Sequence, residues 1–194
     1  MNSFSNLCRP LSPGFLIPKD MPVRIGLVVL ATDMVLEIEW RDLFAGLPIE
    51  VLVARIACAA EVTPEALLTM AQQIGQCASL ILPDVPLDAI AYGCTSGSLV
   101  IGEKKVHELL QQGNSLQVTS NPFSAIKAAL VHIKAQNLVV LSPYLASVNQ
   151  PFYQALTDAG YTIKGWGSLN LTLDREIGSM NPEHLPILID QLLD

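Results

Sequence analysis

The sequence predicts an α/β protein with a mainly parallel sheet, and three observations carry that expectation. Apolar, β-branched runs of strand length alternate with amphipathic helical stretches on short connections, the pattern of strands joined by crossover helices. The 194 residues are 51% hydrophobic and only 15% charged, with mean hydropathy +0.41, which suits strands buried on both faces. The run RIGLVVLATD is also echoed by QNLVVLSPYL, each a strand end followed by a polar turn and a helix.

The elements follow in order. Residues 23–31, VRIGLVVLA, form a continuous apolar run rich in β-branched residues and predict a buried strand. Thr32 and Asp33 follow it. A helix over 34–44 is expected from Leu36, Trp40, Leu43 and Phe44 interleaved with Glu37, Glu39, Arg41 and Asp42, and Gly46-Leu47-Pro48 breaks it. Residues 49–57, IEVLVARIA, alternate well enough for a second strand. Thr63-Pro64-Glu65 is a helix start: a hydroxyl cap, proline at the first helical position, then an acid. Leu67, Leu68, Ala71, Ile74 and Ala78 continue it at helical spacing.

The strand 89–93 comes next, then a turn at Cys94, then a helix over 98–112 with Val106, Leu109 and Leu110 on one face. Residues 116–119 predict a short strand. Asn121-Pro122 opens another helix whose buried stripe is Phe123, Ile126, Leu130 and Ile133. A strand over 137–141 ends in Ser142-Pro143-Tyr144. Asn149, two residues before Pro151, is read as the start of a helix that stops at Gly160. A strand over 161–166, a loop over 167–180 and a helix from Asn181-Pro182 to Leu193 complete the chain. The first half reaches a further strand, the one bearing Cys94. The second half reaches its last helix and stops, so one strand is missing from the repeated pattern.

Composition excludes several classes. The net charge of −7 and a pI near 4.8 argue against nucleic acid and against anionic membrane surfaces as partners. No apolar run approaches the roughly 20 residues of a membrane span. The proline-containing stretch 1–21 reads as a tail without the basic start and long apolar core of a signal peptide, so cytoplasm is the expected compartment. Four cysteines scattered through the chain do not make a disulfide scaffold, and no Cys/His spacing resembles a zinc site, so no metal is expected. A dinucleotide binder is disfavoured, because no GxGxxG follows the first strand.

The chemistry concentrates in residues 89–101, AIAYGCTSGSLVI. A strand, a tight turn and a helix N-terminus meet at one thiol. Such a turn offers free backbone N–H groups and the positive end of a helix dipole, which can hold an anion. The same field favours thiolate over thiol, so Cys94 is expected to have a lowered pKa.

Several blocks occur in a fixed order: RIGLVVLATD, ILPDVPLDAIAYGCTSGSLVIG, the Val118-Thr119 helix start, LSPYLASVN and DREIGSMNPE. Together they resemble the aspartate/glutamate racemase superfamily, in its maleate cis-trans isomerase and arylmalonate decarboxylase branch. Within that branch the likeness is best to the ectoine-utilisation proteins of the EutA type. The resemblance implies two pseudo-symmetric lobes with mainly parallel sheets and a substrate between them. It divides the chain into a tail (1–21), a first lobe carrying Cys94 (22–120) and a second lobe (121–194). That second lobe is expected to lack its last strand and helix. It implies cofactor-independent isomerase, racemase or decarboxylase chemistry on a small carboxylate, with a cysteine from each lobe. Cys94 matches the first. Cys8, Cys58 and Cys77 do not match the second, so a truncated, inactive carboxylate-binding remnant is the alternative. The apolar surface such a truncation uncovers points to association, and a homo-oligomer is expected.

Each site residue carries a plain reading beside the functional one. Cys94 is a nucleophile, or a small buried hydrophobe at a strand end. Thr95 and Ser96 bind the carboxylate, or cap the helix, or both. Tyr144 matches the tyrosine that the family uses on a substrate carboxylate, or is a packed tyrosine with a solvated hydroxyl. Asp33 stands where maleate isomerases carry an asparagine. An acid there disfavours a dicarboxylate and favours an amino-acid-like substrate, while its plain reading is an N-cap. Asp174 lies near a further family asparagine. Thr119 is expected to face the cleft. His107 and His132 read as surface or packing residues, and His184 as a first-turn helix residue.

Overall fold

The computed structural model describes residues 21–113 and 118–193. β1 (Val23–Leu30) is the axis of the first sheet. Its alternate side chains face opposite ways, yet Leu27, Val28 and Val29 are all fully buried, as a central parallel strand requires. β2 (Ile49–Ile56) and β3 (Ala89–Tyr92) flank it, and β4 (Thr119–Ser120) adds to β3, giving the parallel order β2-β1-β3-β4. A second parallel sheet pairs β5 (Asn137–Ser142) with β6 (Thr162–Ser168).

Helices cover both faces of the first sheet. α1 (Leu36–Leu43) places Leu36 and Trp40 against Leu27, Val29 and Ala91. On the other face α2 (Pro64–Ser79) and α4 (Glu103–Gly113) pack Met70, Ile74, Val106 and Leu110 against Val28, Ile90 and Tyr92. Thr63 caps α2 by accepting from the Ala66 N–H at 3.2 Å. In the second half α5 (Pro122–His132) and α6 (Ala146–Asp158) bring Phe123, Phe152 and Leu156 onto the β5–β6 sheet. α8 (Leu185–Leu193) packs against β5 and β6.

Four local expectations are corrected. The helix expected over 98–112 is two helices, α3 (Thr95–Ile101) and α4, separated at Gly102. Gly102 has φ +93°, a left-handed backbone that ends a helix and that glycine adopts without steric cost. The helix expected from Asn149 begins at Ala146, and Asn149 is a buried residue inside it. Ile133 is not part of the buried stripe of α5; it lies just past the helix and is 68% exposed. The stretch 167–180 is not all loop: it holds the end of β6 and a short helix, α7 (Asp174–Gly178). Residues 116 and 117 of the expected strand, and residues 1–20 of the expected tail, lie outside the described residues. No helix among the described residues is long and apolar enough to cross a membrane.

The strand order places the site. The chain leaves β1 towards β2 on one side and returns to β3 on the other, so the order reverses at β1. A crevice opens beyond the C-terminal ends of β1 and β3 at such a switch point. Thr32 and Asp33 follow β1 there, and Gly93 and Cys94 follow β3.

Candidate functional site

Cys94 is the N-cap of α3, with extended backbone (φ −141°, ψ 114°). Its Sγ accepts from the Gly97 N–H at 3.2 Å and lies 3.6 Å from the Ser96 Oγ. The Ser98 hydroxyl donates to the Cys94 carbonyl at 2.6 Å, which locks the turn. Helix geometry leaves the first-turn N–H groups of Thr95 and Ser96 without helical acceptors. Two glycines make the turn possible. A Cβ on Gly93 would overlap Leu36 of α1, and one on Gly97 would come 2.6 Å from the Tyr92 hydroxyl and 3.0 Å from the Cys94 sulfur.

The thiol is only 6% exposed. Burial pushes its pKa up, and the Asp174 carboxylate adds to that rise; Ser96, the Gly97 N–H and Tyr92 pull the other way through hydrogen bonds. The expected lowering is therefore corrected: burial outweighs the stabilising donors in this closed geometry. Tyr92 is raised as well, by burial first and by the neighbouring Cys94 and Cys58 thiols.

Tyr144 comes from the second half of the chain. Its hydroxyl is pushed up to about 12 by burial first and then by Cys94 and Asp174, while hydrogen bonds with Ser96 and Thr95 act against the rise. A buried network fixes the turn that carries it. Ser142 donates to the Asn149 Oδ1 at 2.6 Å, and the Asn149 Nδ2 donates to the Tyr144 carbonyl at 2.7 Å and to Ser168 at 3.2 Å. Ser168 donates to the same carbonyl at 2.5 Å. Asn149 thus positions Tyr144, a role that its spacing before Pro151 disguised as a helix start.

Asp174 reaches the cleft through long-range pairing. The Val62 N–H donates to the Thr172 carbonyl at 2.9 Å, and the Asp174 N–H donates to the Ala60 carbonyl at 3.0 Å, beside an antiparallel bridge between Glu61 and Leu173. The carboxylate accepts a hydrogen bond from Thr32, whose hydroxyl also lies 3.2 Å from Cys58 Sγ.

Cys94, Thr95, Ser96, Tyr144, Asp33 and Asp174 line one open cleft. The N-cap reading of Asp33 is corrected: Val35 is the N-cap of α1, and Asp33, two residues before it, accepts from the Val35 and Leu36 N–H groups at 2.9 and 2.8 Å. Thr119 does not line the cleft. Its hydroxyl pairs with His107 Nδ1 instead, because α4 packs over β4. His132 and His184 are exposed. Cys58, Cys77 and Cys94 are free thiols, and among the described residues no group of His, Cys, Asp and Glu converges as a metal site would.

The sequence and the fold have known counterparts. Maleate isomerase from Nocardia farcinica is 27% identical over 172 residues, covering 84% of this chain and 68% of that protein. The maleate isomerase of Pseudomonas putida is 21% identical, over 66% of this chain and 54% of its own length. A solved structure of a cysteine-to-serine variant of the Nocardia farcinica maleate cis-trans isomerase superposes with TM-score 0.77 and 26% identity. It covers 87% of this chain and 72% of that one, and it holds a covalently bound succinylcysteine intermediate. A liganded variant of arylmalonate decarboxylase superposes with TM-score 0.70 over 88% of this chain and 71% of its own, at 18% identity. The chain has the maleate isomerase and arylmalonate decarboxylase fold. No family model matches the sequence. The chain spans between about half and seven-tenths of the lengths of these proteins.

Proposed function

We propose that this protein is a cysteine-dependent isomerase- or decarboxylase-type enzyme for small carboxylates, with Cys94 as its nucleophile. The observation that carries this reading is the placement of one thiol at a strand-to-helix turn, in a cleft that Tyr144 enters from the other half of the chain. The comparisons support it through relatives named for such reactions.

Once the thiol proton has passed to water in the cleft, Cys94 Sγ forms a C–S bond to one alkene carbon as the π bond breaks. The electron pair moves into the adjacent carboxylate, which accepts hydrogen bonds from the Thr95 and Ser96 N–H groups and the Tyr144 hydroxyl. Rotation about the resulting single bond, return of the pair and cleavage of the C–S bond release the isomer and the thiolate. The step consumes no oxidant, reductant or co-reactant. Within this class, the ATD turn and the LPDVPLD…CTSGS run favour a substrate of the ectoine-utilisation kind. Self-association belongs to the proposal too, since Val131, Ile133, Ile187 and Leu193 are large exposed apolar side chains.

Binding without turnover is the second reading, favoured by the burial that raises the Cys94 pKa. Turnover of a panel of small unsaturated and malonate-type acids by wild type and Cys94→Ala separates the two. Full turnover by Cys94→Ala overturns the nucleophile, and no turnover by either protein favours the binding reading.

A further inference from the structure

We propose that the cleft selects a substrate bearing one carboxylate and one ammonium group over a dicarboxylate, and that Asp174 receives the ammonium. The proposal rests on the reading of the Cys94 cleft as the substrate site. Its ground is the charge of the lining. Asp33, Glu39 and Asp174 face the cleft, and no Lys, Arg or His among the described residues lines it.

The three acids are not equivalent. Asp33 already accepts two backbone N–H bonds at the start of α1. Glu39 lies on an exposed part of α1. Asp174 is partly buried, and its carboxylate has one protein partner among the described residues, the Thr32 hydroxyl. Arg55, beside the Asp33 turn, is committed elsewhere. Its Nη1 donates to the Leu30, Ala31 and Asp33 carbonyls, and its Nη2 pairs with Glu37 at 2.5 Å.

One carboxylate of a ligand can be met by the Thr95–Ser96 turn and Tyr144. A second would lose water without gaining a cation, and a buried, unpaired charge is unfavourable. An ammonium in its place exchanges water for a charge-assisted hydrogen bond to Asp174. Asp174 lines the same cleft as Cys94 and Tyr144, so a ligand held by the Thr95–Ser96 turn and Tyr144 shares its site with that carboxylate.

The test uses two matched ligand pairs, succinate with β-alanine and glutarate with 4-aminobutyrate. Each pair exchanges a carboxylate for an ammonium on the same spacer. Protection of Cys94 from iodoacetamide is followed by peptide mass spectrometry on the intact folded protein. The ammonium member should protect at a concentration at least about tenfold lower than its partner. Asp174→Asn, with unchanged circular dichroism, should close or reverse that gap. Equal or better protection by the dicarboxylates overturns the charge selection while leaving the site standing. A preference that survives Asp174→Asn overturns the role of Asp174. Protection by neither member of either pair overturns the site reading, and this inference with it.

Discussion

Gly97→Ala tests how tightly the fold holds the thiol. In a helix interior, alanine in place of glycine contributes about 1 kcal/mol of stability when it fits. Here it does not fit. The new Cβ would lie 2.6 Å from the Tyr92 hydroxyl, 3.2 Å from Tyr92 Cε1 and 3.0 Å from Cys94 Sγ. Neither neighbour can give way easily. Tyr92 is 1% exposed and its hydroxyl rests on the Met70 sulfur at 3.7 Å; Cys94 caps the helix. Overpacking a closed core costs about 1–3 kcal/mol, and this rigid contact belongs in the upper half of that range. The net effect is a loss of about 1–2 kcal/mol, read by thermal melting as a fall of roughly 2–8 °C for a chain of this size. The displaced sulfur also loses part of its Gly97 N–H bond, so iodoacetamide labelling of Cys94 at fixed pH should slow about fivefold. A raised melting temperature with unchanged labelling would contradict this, since the turn would then have room for a Cβ that the 2.6 and 3.0 Å contacts deny.

Other perturbations separate positioning from capping. Asn149→Ala should cost about 2–3 kcal/mol, since it strands Ser142 and loosens the Tyr144 turn; a melt within 1 °C of wild type, with about a quarter to half a kcal/mol, contradicts that network. Asp33→Ala should lose about 1 kcal/mol through the two backbone hydrogen bonds it accepts at the start of α1, with labelling of Cys94 by neutral iodoacetamide unchanged; a tenfold change in labelling at constant stability contradicts that structural role. Cys94, Cys77, Tyr92 and Tyr144 all have folded pKa values raised by burial. The folded state then holds protons that the unfolded chain releases, so stability is full below the unfolded thiol value and declines as pH rises above about 8.5. Chemical denaturation from pH 7 to 10 should show that decline, reduced in Cys94→Ala; a stability that rises over this range contradicts the burial.

Much of this architecture is legible in local sequence because local physics decides it. The run 23–31 can only be a strand buried on both faces, and Thr63-Pro64 and Asn121-Pro122 supply both a capping oxygen and a proline with no N–H to satisfy. The Cys94 turn was legible for the same reason. Where tertiary structure decides, local pattern fails. Asn149 precedes Pro151 as a cap would, yet its partners are Ser142, Tyr144 and Ser168 on other elements. Asp174 enters the cleft only because segment 172–174 pairs with 60–62. The pKa of Cys94 is raised by burial first, with Asp174 adding to the rise from a distant segment, and no local spacing reveals either. Gly102 did leave a signal, a lone glycine inside a helical pattern, and its positive φ shows what that signal meant.

The charge of an alkylating agent probes a thiol set beside a carboxylate-binding turn. Iodoacetate and iodoacetamide deliver nearly the same group, but only one carries a carboxylate. The ratio of the iodoacetate rate to the iodoacetamide rate should be higher at Cys94 than at Cys58 in the same sample, and Tyr144→Phe should lower it. A ratio at Cys94 equal to or below that at Cys58 would contradict it.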